Sequence, residues 1–412
     1  MLDVLGVIII DELYSITMFE AGNGDSFFVR CEGKYITNIL IDFGYSNTYK
    51  DYIEKYLKAM AMNNEKIDLA IITHYDQDHI SGGIRFFEDN GFSDKPNIIS
   101  VSEVWHNSYR HLNIKESDKE LTKEEKEYIL ENSIVVEQNR NKGANDTSAK
   151  QGSRLAANLK YYEYNWNSMF ENEAIMYRAN NSIILNQEVE VRVLSPTPQE
   201  IENLQKVWKK ELKKKFPAIE LNDDEIFDDA VECISLMKRP RSVPFIKDTS
   251  TSSNLENLAG REFQEDTDEI NASSITCIIK FKEKKILMLG DSLPSTIEAQ
   301  LKQIYQDSDF PIIFDAIKVS HHGSMKNTSS SLLKLIDAEN YFISTNGSGY
   351  GHPDIETIAK ILTRKNNSFV RKIHFTHKFS KLDFLDSEKL KKKYNYELHY
   401  KAKSEDKLQI YL

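Results

Sequence analysis

The sequence predicts an α/β fold in which two groups of strands carry helices on their outer sides, with a long charged segment inserted between the groups. Three observations lead there. Short apolar or alternating runs cluster at residues 14–105 and again at 274–344. Apolar residues recur at helical spacing beside them. From Leu112 to Asp268 the strand rhythm gives way to charged and Asn-rich stretches, which read as a mostly helical insertion, residues 112–268, within a single domain spanning residues 1–412.

In chain order, Tyr14 to Phe19, Ser26 to Cys31, Ile36 to Ile41, Leu69 to Thr73 and Val101 to Trp105 read as strands. Thr48 to Met62 reads as a helix, because Tyr49, Tyr52, Ile53, Tyr56 and Leu57 fall on one face. Within the insertion, the closely spaced opposite charges of Lys119 to Glu127 suit a solvated helix face. Gly143 to Ser148 and Asp248 to Asn254 read as loops. Gln205 to Phe216 carries six lysines around Val207, Trp208, Leu212 and Phe216, which fits a solvated helix face, a phosphate-backbone contact or a protein-partner surface. Strands return at Ser274 to Lys280, Lys285 to Leu289, Ala316 to Val319 and Tyr341 to Ser344, with helices at Thr296 to Tyr305 and Pro353 to Leu362.

With 412 residues, 40% of them hydrophobic and 28% charged, the chain can bury a substantial core. A formal net charge of -11 argues against general adhesion to nucleic acid. Cys31, Cys233 and Cys277 have neither metal-ligand spacing nor a disulfide pattern, so a reducing cytoplasm is the expected setting. The apolar segment Val4 to Ile10 lacks a basic flank and is far shorter than the roughly 18 residues that a membrane span needs, so no membrane association is expected.

The chemistry concentrates where a buried strand ends. After Leu69-Ala70-Ile71-Ile72, the run Thr73-His74-Tyr75-Asp76-Gln77-Asp78-His79 offers His74, Asp76, Asp78 and His79 as closely spaced ligands. A chain leaving a strand can aim such side chains into one pocket. Imidazole and carboxylate together suit zinc, and a carboxylate-rich site also accepts manganese or iron.

Extended by Gly82 and Gly83, this pattern resembles the metal signature of the metallo-β-lactamase superfamily, in the variant found in the corresponding domain of ComEC-type DNA-uptake proteins. Other segments are similar to that group's motifs in the same order: Phe19 to Val29 with Gly22-Asn23-Gly24-Asp25, Ile39 to Gly44, Asn271 to Ile275, Leu287 to Asp291, Lys318 to Ser324, and Ser344 to Pro353. The resemblance spans roughly residues 14–362 apart from the insertion, and implies a four-layer αββα sandwich. ComEC-type proteins carry the domain on a membrane channel; the expectation here is a stand-alone relative.

The resemblance further implies two divalent metal ions, Zn2+ or Mn2+. His74 and Asp76 would hold one, Asp78 and His79 the other, with Asp291 bridging both. His106, which closes a strand, is the candidate for a further ligand on the first ion, although its spacing departs from the family's Gly-His-Thr. Of the doublet His321-His322, His322 is favoured as a ligand and His321 as substrate contact or proton donor, with the reverse assignment open. His352 is similar to the family's late Gly-His-Pro and would donate to a phosphoryl oxygen or leaving group; otherwise it is a loop residue capping the following helix. Asp78, His321 and His352 are thus the catalytic candidates. Gly22, Gly24, Gly82 and Gly83 serve turns and close approach. His111, His374, His377 and His399 match no motif.

The activity this implies is hydrolysis of a phosphodiester, nucleic acid and nucleotides included, by two metal ions. Alternatives are a related hydrolase of a phosphorylcholine ester, lactone or thioester, or a metal-bound regulatory subunit that meets its partner through the insertion. Trp105 to Tyr109 also resembles subunits of bacterial antiphage systems, which would make an NTPase or protease the partner.

Overall fold

The computed structural model describes residues 12–133, 154–179, 182–237, 254–365, 368–402 and 404–412. The first sheet contains β1 (Leu13–Phe19), β2 (Phe27–Glu32), β3 (Ile36–Ile41), β4 (Leu69–Ile71) and β5 (Val104–Trp105). The second contains β6 (Ile183–Leu185), β7 (Val189–Ser195), β8 (Thr276–Phe281), β9 (Lys284–Met288), β10 (Ile312–Lys318), β11 (Ile336–Ile343), β12 (Arg371–Phe375) and β13 (Tyr396–Tyr400). The last strand, β14 (Lys407–Tyr411), returns to the first sheet beside β1. The strand orders are β14-β1-β2-β3-β4-β5 and β13-β12-β11-β10-β9-β8-β7-β6.

Three apolar clusters explain why these strands stack as they do. Ile16, Met18, Val29, Ile39 and Ile71 of the first sheet meet Val191, Ile279, Ile286 and Phe342 of the second, forming the inner core. On the outer side of the first sheet, Leu40 and Ala70 pack against Tyr49, Ile53 and Leu57, and against Ile80, Phe86 and Phe87 of the helix Gln77–Asn90. Outside the second sheet, Phe314, Ile317 and Ile343 pack against Ile297 and Leu301 of the helix Pro294–Ile304 and Ile358 and Ile361 of the helix Ile355–Leu362. The result is the αββα sandwich with an insertion.

Helices prevail in the described part of residues 112–268, as expected, but the structure adds two strands there that the sequence did not reveal. Val189, Val191 and Val193 point inward at every second position of β7, which pairs with β8 from Val189↔Phe281 onward. Residues 183–195 therefore extend the second sheet. Helices Lys123–Asn132, Pro198–Lys215 and Ile226–Met237 share a fourth core with Trp208, Leu212, Phe216, Phe227 and Val231. Leu204, Trp208, Leu212 and Phe216 form its buried stripe at i,i+4 spacing, while Lys209 and Lys213 pair with Glu116 and Lys206 with Glu202. Beyond Leu362, β12, β13 and β14 complete both sheets, which the sequence reading did not anticipate.

The loop expected at Gly143 to Ser148, residues 248–253 of the next one, and the Val4 to Ile10 segment lie outside the described residues. Among the described residues no helix is long and apolar enough to cross a membrane. Cys31, Cys233 and Cys277 are buried and unbridged.

Candidate metal centre

The site forms where parallel strands end. Asp42 follows β3, His74 follows β4, Asp291 follows β9 and the His321-His322 doublet follows β10, so neighbouring strands β3–β4 and β9–β10 deliver their loops to one edge of the sandwich. Asp76 precedes the helix Gln77–Asn90, and Asp78 and His79 occupy its first turn. Two glycines permit this docking. A Cβ on Gly24 would lie 2.1 Å from the Asp78 carbonyl oxygen, and one on Gly82 2.1 Å from that of Phe43.

Each deep imidazole is held from behind. Asp42 accepts from the Thr73 amide and hydroxyl, both at 2.8 Å, and its Oδ2 lies 2.8 Å from His79 Nδ1. His74 Nδ1 faces the Thr73 and Ser274 hydroxyls at 3.0 and 3.2 Å. His322 Nδ1 faces the Ser344 carbonyl at 3.0 Å. We assign the proton to Nδ1 in all three rings, since the Asp42 carboxylate and the Ser344 carbonyl can only accept and the Thr73 hydroxyl beside His74 already donates to Asp42. The Nε2 atoms that remain are buried without a hydrogen-bond partner.

Those Nε2 atoms converge on a single oxygen. Asp291 Oδ2 lies 3.8 Å from His74, 3.6 Å from His79 and 3.8 Å from His322, and 3.9 Å from His321 Nε2. Asp76 Oδ2 stands 3.8 Å from His74 Nε2, and Asp78 Oδ2 stands 3.4 Å from His322 Nε2. Two pairs thus adjoin the shared carboxylate, His74 with Asp76 and His322 with Asp78, and the His79 ring lies between them, 4.2 Å from that of His74 and 5.4 Å from that of His322. Nitrogen lone pairs and carboxylate oxygens facing each other across a buried space call for positive charge between them. Asp25, His79, Asp291 and His322, all buried, also offer ligand atoms within 4.8 Å of one another.

Proton affinities reflect the same demand. Burial lowers His79 and His322, but Asp42 and Asp291 lift the first well above its usual value, and Asp25 and Asp291 lift the second to about 10. Burial and neighbouring His79 hold His74 near 3. The surrounding protein and the Asp78 and Asp268 charges push Asp76 up to about 7. Asp291 stays well below the usual carboxylate range in spite of burial, because His321, His79, Lys318 and His322 surround it.

The doublet is split by backbone geometry. His321 and His322 both have left-handed φ values, 45° and 52°, and their rings stand at 71° to each other. His322 lies deep between Asp25, Asp78 and Asp291, whereas His321 sits at the rim with Nδ1 3.0 Å from Asn327 Oδ1 and 3.5 Å from Asp266 Oδ2. His352 lies one ring further out, 5.3 Å from His321 between centroids, with Nδ1 3.5 Å from Asp354 Oδ2.

His106 is not brought into the group. Its Nδ1 faces the Ile72 carbonyl at 3.4 Å, and its ring packs against Tyr75 and Trp166. Burial alone lowers it to about 4, as expected of a neutral core histidine. Two residues not singled out as site candidates belong to the centre instead. Asp25 lies 3.4 Å from His322 Nδ1 and 4.0 Å from His79 Nδ1, and is ion-paired with Lys318, whose ammonium also donates to the Gly290 carbonyl at 2.7 Å. With an ammonium already on it and the back nitrogens beside it, Asp25 supports the imidazoles from behind.

Residues 20–108 match the family model of the Metallo-beta-lactamase superfamily. No curated protein matches the chain. Among solved structures, a mutant of CmlA beta-hydroxylase aligns with a TM-score of 0.34 and 9% identity, covering 98% of this chain and 54% of that one. The chain thus spans about half the length of that protein. The family match takes in Asp25, Asp42, His74, Asp76, Asp78 and His79, so the stretch that carries most of the candidate metal site is similar to the Metallo-beta-lactamase superfamily, and the two-sheet sandwich is consistent with that superfamily's fold.

Proposed function

We propose that the protein is a two-metal phosphodiesterase. The observation that carries this reading is the convergence of His74, His79 and His322 Nε2 on Asp291 Oδ2, with Asp76 beside His74 and Asp78 beside His322. His74, Asp76 and Asp291 would hold one divalent ion, and Asp78, His79, Asp291 and His322 the other. Such a pair, when bound, supplies a hydroxide near neutral pH and stabilises negative charge on phosphoryl oxygens.

The chain's own groups do the rest. Asp42, Thr73 and the Ser344 carbonyl fix the imidazoles so that little reorganisation is needed when the ligands close. Burial lowers His321, but Asp291 and Asp266 outweigh it and keep the ring protonated above the usual histidine range. With Nδ1 turned to Asn327, His321 can deliver the Nε2 proton to a leaving oxygen. His352 and the rim around it face the group carried by the phosphorus. The domain reading that goes with this function is one sandwich with helices of the insertion packed beside the site, where Tyr75, between His74 and Asp76, meets Trp208 at 5.3 Å.

Hydrolysis of bis-p-nitrophenyl phosphate and of single- and double-stranded DNA in Zn2+ or Mn2+ tests the proposal. Turnover that disappears in Asp78→Ala and Asp291→Ala is expected. Turnover retained in both variants would refute it.

A further inference from the structure

Three aromatic side chains meet at the surface, far from the metal centre but on the helix that starts there. The helix Gln77–Asn90 carries Asp78 and His79 in its first turn, and its 14 residues put its other end about 20 Å away at a rise of about 1.5 Å per residue. Just beyond that end, Phe92 meets Tyr161 and Tyr162 with 5.6 and 5.4 Å between ring centroids, and the two tyrosines meet each other at 5.0 Å. Tyr161 closes the helix Leu155–Tyr161 of the insertion. Hydrogen bonds tie the two segments together. The Ser93 amide donates to the Tyr162 carbonyl at 2.9 Å, the Ser93 hydroxyl to the Glu163 carbonyl at 2.7 Å, and the Tyr164 hydroxyl to the Gly91 carbonyl at 2.9 Å.

Phe92 is 43% and Tyr161 68% exposed, whereas Phe86 and Phe87 of the adjoining helix are fully buried in the core. Aromatic side chains gathered in water have the composition of a protein interface. The charges beside them select the partner. A cleft of about 700 Å3 adjoins Phe92 and Tyr162, and Glu88, Asp94, Lys95 and Glu163 line it. Glu88 pairs with Arg85 at 3.2 Å, while among the described residues Asp94 and Glu163 have no ion pair. Burial, with the charges of Glu88, Tyr161 and Asp89, raises the Tyr162 hydroxyl above its usual value, as a negative surrounding does. Three carboxylates against one ammonium repel phosphate, and with it nucleic acid and anionic membrane; a second copy of a chain of net charge -11 is opposed in the same way. A cation is what aromatic rings and carboxylates accept together. Arginine suits the place better than lysine, because its planar guanidinium is less strongly hydrated, stacks on rings and forks onto a carboxylate.

We propose that this surface docks a partner protein through an arginine side chain, seated against the Phe92, Tyr161 and Tyr162 rings and paired with Asp94 and Glu163. The docking site is separate from the metal centre and independent of the activity proposed there.

Fluorescence anisotropy with two labelled peptides of equal charge, tetra-arginine and tetralysine, tests the proposal. The arginine peptide should bind about three- to fivefold more tightly, the range of one exposed cation–aromatic contact. Phe92→Ala and, at the more exposed position, Tyr161→Ala should erase that margin with circular dichroism unchanged, and Phe92→Tyr should keep it. Asp94→Asn combined with Glu163→Gln should weaken both peptides. Equal binding of the two peptides, or an arginine margin that survives both ring deletions, would overturn the proposal, since net charge or another surface would then account for the binding. Self-association of the unaltered protein in sedimentation, lost in Tyr161→Ala, would overturn it in favour of a second copy.

Discussion

Lys318 is where the charge balance of the centre is decided. Its ammonium is buried, paired with Asp25 and 3.4 Å from Asp291 Oδ1. Lys318→Met would take from buried Asp25 its ammonium partner and leave only the His322 and His79 imidazoles beside it, at a cost of up to about 3–5 kcal/mol. Urea unfolding of the metal-free protein measures this, and unchanged stability would show that the pair is dispensable. At Gly24 the limit is space: an added methyl must push the Asp78 backbone away, so Gly24→Ala should lower metal occupancy with the helix signal in circular dichroism retained. Much of the centre was legible at this scale, because His74, Asp76, Asp78 and His79 are adjacent in sequence and leave a strand together. Asp25 and Lys318 were visible as parts of motifs, but their pairing joins a hairpin turn of the first sheet to a strand end of the second, which no local spacing encodes. His106 looked like a ligand for the same reason: it closes a strand, and only packing between Tyr75 and Trp166 decides where its ring points.

Among the elements, strands with clear alternation near the motifs were readable, while β7 was concealed by the charged sequence around it. Its alternation spans Val189 to Ser195 only, and β6 adds three residues more. β14 is recognisable only through its partner, since it is one edge of a sheet begun at the other end of the chain. The insertion helices are coupled to the centre through Tyr75, whose ring packs on Trp208 and whose carbonyl accepts from Ser235 at 3.1 Å. Trp208→Ala should destabilise the protein by about 3–5 kcal/mol through the cavity it leaves, as measured by denaturant midpoint. A pH dependence also belongs to these helices. Glu232 is buried and accepts from the Leu155 and Ala156 amides at 2.7 and 2.9 Å, and burial, with Asp229 nearby, raises it from 4.5 to about 8. The folded state therefore keeps a proton that the unfolded chain releases. The contribution is fully present below pH 4.5 and is lost as pH rises through about 8. Glu232→Gln should thus compare more favourably with the unaltered protein above pH 8 than at pH 5, in paired thermal melts.

At the scale of the whole molecule, two sheets from distant parts of the chain each contribute residues to the candidate ligand set, so a bound metal would tie the halves of the sandwich together. Without metal, His79 and His322 hold protons to high pH; their contribution to stability is full below pH 6.5 and falls as pH rises, that of His322 through about 10. A divalent ion takes those nitrogens only by displacing the protons, so added Mn2+ should raise the melting temperature more at about pH 8.5 than at about pH 6. Melts with and without chelator at both values check this. The most direct measurement is the number of ions retained per chain after dialysis against Zn2+ or Mn2+, by elemental mass spectrometry, for the unaltered protein and Asp291→Ala. About two ions in the former, as a paired-metal site requires, and loss of both in the latter are expected; a chain that retains none, or a variant that still holds two, would contradict the shared-carboxylate centre.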